Sequence, residues 1–183
     1  MGLLIPSKDM NEIRFISDPH FGHRNIAIKR GFKDAGEMNE YIISQWNSVV
    51  RKRDVVYILG DITMERASYY HLLNRLNGFK KVILGNHDRP QDVIKLLNYV
   101  NSVASIKYFN GKELGKFILT HVPIHPSEFN DRSKINIHGH VHEKTLDDKR
   151  YINVSAENID YIPKTLKQLI YGKDRPEVPQ IIA

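Results

Sequence analysis

The chain has 183 residues, a length that fits one folded domain with a buried core. It contains no cysteine, which excludes disulfide bonds, a thiolate nucleophile and cysteine-ligated zinc, so metal ligands must come from histidine and carboxylate groups. The net charge of +6 and the pI of about 9.4 favour a polyanionic partner.

The first half of the chain predicts three strand–helix units in succession. The predicted strands cover residues 12–17, 54–59 and 79–84. Apolar residues at helical spacing predict helices near residues 38–49, 69–76 and 93–97. Successive units of this kind form right-handed crossovers, so they predict a parallel sheet.

The pattern changes in the second half. Predicted strands at 105–109 and 113–120 flank Asn110-Gly111, a dipeptide typical of a tight hairpin turn. Two more strands are predicted near 134–137 and 150–154, followed by a last helix entered at Pro163. We therefore expect one mixed α/β domain over residues 1–183, with a core at about 12–172 and an extended tail at 173–183.

Polar side chains follow five of the predicted strands at the point where each strand ends. In chain order they are Asp18 and His20, then Asp61, then Asn86, His87 and Asp88, then His121, then His140 and His142. The carboxyl ends of strands in an α/β sheet face a common crevice, so these side chains should converge. Aspartate, histidine and asparagine together are typical ligands of divalent metals. The sequence therefore predicts a metal site at this edge.

The five blocks resemble, in order and spacing, the signature of the calcineurin-like metallophosphoesterases, as a small member without a lid domain. The resemblance runs from Asp18 to His142. It implies a four-layer α/β sandwich of two mixed sheets flanked by helices. It also implies two divalent transition-metal ions, with manganese favoured over iron, zinc or nickel.

The resemblance assigns a ligand set to each ion. The first ion would be held by Asp18, His20, Asp61 and His142, and the second by Asp61, Asn86, His121 and His140. Asp61 would therefore bridge the two ions, because a single carboxylate can hold two cations about 3.5–4 Å apart.

The implied reaction is hydrolysis of a phosphate ester by in-line attack of a hydroxide that bridges the two ions. His87 is not a ligand in this family; it would donate a proton to the leaving oxygen or stabilise the phosphoryl charge, and Asp88 would orient it. A phosphodiester of nucleotide or nucleic-acid type is favoured. A phosphomonoester substrate and a non-catalytic scaffold remain alternatives.

Several residues near these blocks are candidates for substrate binding. They are His23, Arg24, Arg89 and His125. The basic run at 51–53 instead precedes its strand, so we expect it at the far edge of the sheet. His138 is interpreted as structural support, on a strand face that it would share with His140 and His142.

The expected partner is a phosphate-ester substrate, either a nucleotide or a nucleic acid. No apolar run is long enough to cross a membrane, and nothing indicates an obligate protein partner. We therefore expect a cytoplasmic protein.

Overall fold

The computed structural model of the protein describes residues 11–64 and 66–172, and the predicted tail at 173–183 lies outside them. The described residues form two mixed sheets flanked by helices, which confirms the predicted fold class. Nine strands build the sheets: β1 (Ile13–Ile16), β2 (Val55–Ile58), β3 (Phe79–Ile83), β4 (Ser102–Ala104), β5 (Lys107–Asn110), β6 (Lys116–Leu119), β7 (Ile135–His138), β8 (Tyr151–Asn153) and β9 (Lys164–Thr165).

The two sheets differ in the direction of their strands. The first has the order β4-β3-β2-β1-β9, in which the first four strands are parallel and β9 is antiparallel to β1. The second has the order β5-β6-β7-β8, with an antiparallel β5–β6 pair and parallel pairs beyond it. In each sheet the parallel strands therefore end on the same side.

Four α-helices are present in the described residues: α1 (Arg24–Lys29), α2 (Ala35–Val49), α3 (Val93–Leu96) and α4 (Leu166–Tyr171). Helix α2 begins where the Asp34 side chain accepts a hydrogen bond from the Glu37 N–H. It buries Met38, Ile42 and Trp46, which recur at helical spacing, against the first sheet's core. No helix in these ranges is both long and apolar enough to cross a membrane.

The two sheets share one hydrophobic core. Phe15 of β1 stacks on Tyr57 of β2 with ring centroids 5.7 Å apart. Phe109 of β5, in the second sheet, meets Phe15 edge-on at 5.6 Å. Because such aromatic contacts have a preferred geometry, they hold the two sheets in a defined relation and place their strand ends side by side.

The structure corrects several local predictions. The segment predicted as a second helix is a 3₁₀ helix over Ala67–Arg75, and the third helix is a single turn, α3. The β5–β6 connection is not a two-residue turn, because a 3₁₀ turn at Lys112–Leu114 lies within it. Helix α4 begins at a capping box formed by Thr165 and Gln168, not at Pro163.

A further correction concerns the predicted histidine face of β7. The strand ends at His138, whereas His140 and His142 lie beyond it with φ of 69° and 53°. Alternation of the three histidines along one strand face was therefore wrong. The loop, rather than the strand, directs the last two side chains.

Candidate metal centre

The loops that carry the predicted ligands are joined to one another by backbone hydrogen bonds. The Asp18 N–H donates to the Gly60 carbonyl at 3.1 Å, and the His20 N–H donates to the Asp61 carbonyl at 3.1 Å. Across the second sheet, the Gly139 N–H donates to the His121 carbonyl at 2.9 Å. The loops after β1 and β2 therefore form one unit, and those after β6 and β7 form another.

Five of the seven predicted ligands adopt left-handed backbone conformations. Their φ values are 56° for Asp18, 49° for His20, 52° for Asp61, 69° for His140 and 53° for His142. This conformation costs a non-glycine residue about 1–3 kcal/mol and persists only where the surroundings enforce it. Such a concentration at one place is typical of a functional site, because there the strain aims side chains that an extended strand would point elsewhere.

Gly60 and Gly85 let two of these loops approach closely. Gly60 has φ +90°, and a Cβ placed on it would lie 2.6 Å from the Cα of Gly85. A Cβ on Gly85 would in turn collide with the Asp61 carboxylate. Glycine is therefore required at both positions for the loops after β2 and β3 to meet.

Asp18, His20 and His142 form the first candidate group. Each offers one ligand atom, and these atoms all lie within 4.8 Å of one another. Asp18 Oδ1 and both ring nitrogens of His20 are buried without a hydrogen-bond partner. Burial lowers the pKa of His20 to about 3, so the ring is neutral and can offer a lone pair. A divalent cation fits this donor set, since it would satisfy polar atoms that otherwise carry a desolvation cost.

Asp61, His121 and His140 form the second candidate group, with the same convergence of ligand atoms. Asn86 joins them, because its Oδ1 lies 2.9 Å from His121 Nε2 and 2.9 Å from His140 Nδ1. His121 Nδ1 lies 2.7 Å from the Leu59 carbonyl, which can only accept, so Nδ1 carries a proton and Nε2 is the ring nitrogen that would bind a cation. Nε2 faces the oxygens of Asn86 and Asp61, an arrangement that fits a cation between them.

Asp61 lies between the two groups. Its Oδ2 is 3.3 Å from Nε2 of His121 in the second group and 3.8 Å from Nε2 of His20 in the first. Its Oδ1 accepts a hydrogen bond from the His87 N–H at 2.9 Å. Burial by itself would raise the pKa of Asp61, but the hydrogen bond and charge of His121 outweigh it and lower the pKa. The carboxylate is therefore kept ionised, the form that binds metal.

His87 lies beside both groups and belongs to neither. Its Nε2 is 4.0 Å from Asp61 Oδ2, and its ring centroid is 5.9 Å from that of His20. The side chain is 26% exposed, so the imidazole has one side on the metal groups and another open to solvent. A proton can therefore pass between this ring and a molecule bound at the centre.

Asp88 connects the loop of Asp61 to the loop of Asn86. Its buried carboxylate accepts hydrogen bonds from the N–H groups of Asp61 at 2.8 Å, Ile62 at 3.1 Å and Gly85 at 2.9 Å. Burial raises its pKa to about 6. These contacts give Asp88 a part in holding two ligand loops together, and its expected orientation of the His87 ring stays a prediction.

The predicted substrate-binding residues lie outside the two groups. His23 accepts a hydrogen bond from the Ile26 N–H as the N-cap of α1, and Arg24 is exposed on the first turn of that helix. Arg89 pairs with Asp92 at 2.7 Å. His125 Nδ1 lies 2.8 Å from the Ser127 hydroxyl in an exposed loop. Their contact with substrate stays a prediction.

Sequence reasoning missed two residues behind the first group, Arg30 and Glu157. Glu157 Oε1 lies 2.7 Å from His142 Nδ1, and Arg30 donates to Glu157 and to the Asp18 carbonyl. Burial alone would raise the pKa of Glu157, but the hydrogen bond from His142 and the charge of Arg30 outweigh it and lower the pKa to about 2. These two residues are 127 positions apart, so no local pattern could have paired them.

Comparison with known proteins identifies a family and several relatives of this chain. The sequence model of the calcineurin-like phosphoesterase family matches residues 12–183. An uncharacterised protein of Methanocaldococcus jannaschii is 36% identical over 94% of this chain and 97% of its own length. The gene 66 protein of Mycobacterium phage D29 is 31% identical over 81% of this chain and 89% of its own.

Two solved structures share the fold. A protein of unknown function from Aquifex aeolicus has a TM-score of 0.68 and 26% identity, covering 87% of this chain and 97% of that one. A novel archaeal phosphodiesterase has a TM-score of 0.50 and 17% identity, covering 79% of this chain and 82% of that one.

Proposed function

Because the chain belongs to the calcineurin-like phosphoesterases, which are metal-dependent hydrolases, we propose that it cleaves phosphodiesters of nucleotide or nucleic-acid type at a centre of two divalent metal ions. The observation that carries the proposal is the position of Asp61 Oδ2, within 4 Å of a ligand nitrogen in each candidate group. One carboxylate so placed supports two ions that share it.

The residues of the two groups fit the two ions. Asp18, His20 and His142 would hold the first, and His121, His140 and Asn86 the second, with Asp61 shared. When bound, two such ions supply Lewis-acid activation of water and offset the charge of the phosphoryl group. The mixed nitrogen and oxygen ligands suit manganese, iron, zinc or nickel, of which we propose manganese.

His87 is the proposed proton donor to the leaving oxygen. Its partly exposed ring, 4.0 Å from Asp61, can reach an ester bound across the two groups without itself holding a cation. Asp88 supports this step indirectly, because it holds the loop that precedes His87 against the loop of Asp61.

The diester preference is supported by access and by charge. Asn86 is exposed, so the outer side of the second group faces solvent and is accessible to a substrate. The net charge of +6 favours association with a polyanion, and bound cations would strengthen that attraction.

The test is a substrate panel assayed with Mn²⁺. It compares bis(p-nitrophenyl) phosphate with p-nitrophenyl phosphate, and then cyclic nucleotides, dinucleotides, and single- and double-stranded nucleic acids. We expect kcat/KM for the diester to exceed that for the monoester by about tenfold or more, a difference of about 1.4 kcal/mol in transition-state stabilisation. A preference for the monoester would overturn the diester assignment.

A further inference from the structure

We propose that Glu157 and Arg30 are positioning residues that orient His142 and the Asp18 loop, and that they make the first metal group the tighter-binding of the two. The inference rests on the two-ion centre of the proposed function, and it concerns residues that lie behind the ligands. Three contacts carry it: Glu157 with His142, Arg30 with Glu157, and Arg30 with the backbone of Asp18.

The first contact determines which nitrogen of His142 faces the cation. An ionised carboxylate only accepts hydrogen bonds, so His142 Nδ1, 2.7 Å from Glu157 Oε1, must carry the proton. The lone pair then lies on Nε2, on the side of the ring that faces away from Glu157. A carboxylate behind a ligating histidine fixes the ring's orientation and makes it a stronger donor to metal. The His142 ring also stacks on His20 at 5.2 Å, which limits its rotation.

Arg30 extends this support to the other side of the group. Its side chain is only 4% exposed, and one nitrogen donates both to Glu157 Oε2 at 2.5 Å and to the Asp18 carbonyl at 2.8 Å. Asp18 has φ 56°, a conformation that needs support from its surroundings. The Arg30 guanidinium therefore stabilises both the strained backbone of Asp18 and the Glu157 carboxylate that lies behind His142.

The charges of the pair also matter, because a cation must bind nearby. The positive charge of a buried arginine next to the Asp18 loop would by itself repel a divalent cation in the first group. Glu157 offsets that charge, so the Asp18 loop gains a rigid donor without a net positive charge beside the ion. Buried ion pairs contribute little net stability, which makes positioning the better explanation for keeping one here.

Asp88 holds two loops of the second group together, but in the described ranges no carboxylate outside the ligand sets contacts the ring of His121 or His140. His121 Nδ1 is oriented by the uncharged carbonyl of Leu59, and His140 Nδ1 faces Asn86 Oδ1, which is itself a candidate ligand of this group. A neutral acceptor raises the basicity of a histidine less than a carboxylate does. We therefore expect the first group to hold its ion more tightly.

The experiment measures Mn²⁺ affinity by calorimetry and by the EPR signal of free Mn²⁺, after circular dichroism has verified the fold. The two groups are told apart in a His140→Ala background, where the remaining ion occupies the first group. Glu157→Ala should lower affinity there by about 10–100-fold, the usual effect of removing such a carboxylate. The affinity of Glu157→Gln for Mn²⁺ should lie between those of the wild type and Glu157→Ala, because the amide carbonyl still accepts a hydrogen bond from His142 Nδ1–H but carries no charge.

Glu143→Gln is the matched control. Glu143 follows His142 directly, yet its side chain is 56% exposed and pairs with Lys29 at 2.8 Å rather than with a ligand. We expect this variant to bind Mn²⁺ as the wild type does. Equal losses for Glu143→Gln and Glu157→Gln would show a general charge effect and overturn the proposal.

A double-mutant cycle then asks whether Glu157 acts through His142. In a His142→Ala background, Glu157→Ala should change the affinity of the first group much less than it does with His142 present. A folded Glu157→Ala protein with unchanged affinity would overturn the proposal, as would equal losses in both backgrounds. Because these measurements need no substrate, a loss of affinity in a protein that cleaves no diester would support the pair and overturn only the proposed substrate class.

Discussion

The two candidate metal groups share aspartate and histidine ligands, with Asn86 added in the second, but they differ in the residues behind the ligands and in the exposure of their outer side. In the first, Asp18 is fully buried and His20 is 2% exposed, and a carboxylate–guanidinium pair lies behind the ligands. In the second, Asp61 and His121 are buried as deeply, but Asn86 is exposed, and the acceptor behind His121 is the uncharged backbone carbonyl of Leu59. The ligand list alone would make the two sites look equivalent.

This difference indicates that the two groups have different roles. The first group is suited to hold its ion permanently, because Glu157 and Arg30 pre-orient its ligands. The second group is suited to meet substrate, because Asn86 leaves its outer side open to solvent. Asp61 lies between the two groups, so we expect a substitution of Asp61 to weaken metal binding at both.

Asp61→Asn should have the largest effect of any single change, because the Asp61 carboxylate lies within 4 Å of a ligand nitrogen in each group. An amide is a weaker ligand than a carboxylate, and its NH₂ has no lone pair to share with a second ion. We expect fewer than one ion per chain by elemental analysis, and a fall in kcat of about 10³-fold or more. Two ions retained at wild-type affinity would show that the groups do not share this residue.

His87→Ala should leave both groups intact while lowering kcat by about 10²–10⁴-fold, the usual contribution of a general acid. The loss should be smallest for p-nitrophenol esters, whose leaving group needs no proton. Metal content is the control, and we expect it to stay at two ions. A loss that is equal for good and poor leaving groups would indicate charge stabilisation instead of proton transfer.

Changes on the exposed side should have smaller effects. Arg24→Ala or Arg89→Ala should lower kcat/KM about tenfold, if these side chains engage the phosphate or the base. The matched control is simultaneous neutralisation of Arg51, Lys52 and Arg53, which precede β2 at the end opposite to Asp61. Salt screens charges that are separated by the length of a strand. We therefore expect kcat/KM for a small substrate to change by less than about threefold. The reverse order would indicate that a long nucleic acid reaches the far edge.

Asp54 offers the smallest effect on activity, because this buried carboxylate lies at the start of β2, away from the metal groups. It accepts hydrogen bonds from the N–H groups of Glu12 and Arg51, both at 2.9 Å. Asp54→Ala would leave these donors without their acceptor and should lower the free energy of unfolding by about 1–3 kcal/mol in urea titrations. Metal content and kcat should not change.

The same residue predicts a pH dependence with a definite sign. Burial by itself would raise the pKa of Asp54, but hydrogen bonds from Arg51 and Glu12 outweigh it and lower the pKa from 3.8. The stabilisation by ionised Asp54 is therefore fully present at a pH above the pKa that Asp54 has in the unfolded chain. It is lost as the pH falls through the lower pKa of Asp54 in the folded protein. In acid, unfolding free energies of wild type and Asp54→Ala should converge, and a constant difference down to pH 2 would contradict this.

The sequence by itself determined the fold class and the types of residue that meet at the candidate site. Strands β1, β2, β3, β6 and β7 are largely apolar and of ordinary length, and each is followed by polar residues that a core strand would not carry without a use. Strand periodicity and the order of the blocks are local properties of the chain. They could therefore be recognised without knowledge of any tertiary contact. Asp18, Asp61 and His121 could be predicted as metal ligands in this way.

Only the tertiary structure decided how these residues are aimed and supported. Strands β4 and β9 have three and two residues, too few to show a period, and they form because a neighbouring strand offers hydrogen-bond partners. The left-handed conformation of Asp18 is enforced by contacts with distant loops, among them the bond from Arg30. Glu157, which follows β8 of the second sheet, meets Arg30 at the end of α1 only after the second sheet has packed on the first. Such contacts depend on packing between segments far apart in the chain, which leaves no local trace in the residues that make them.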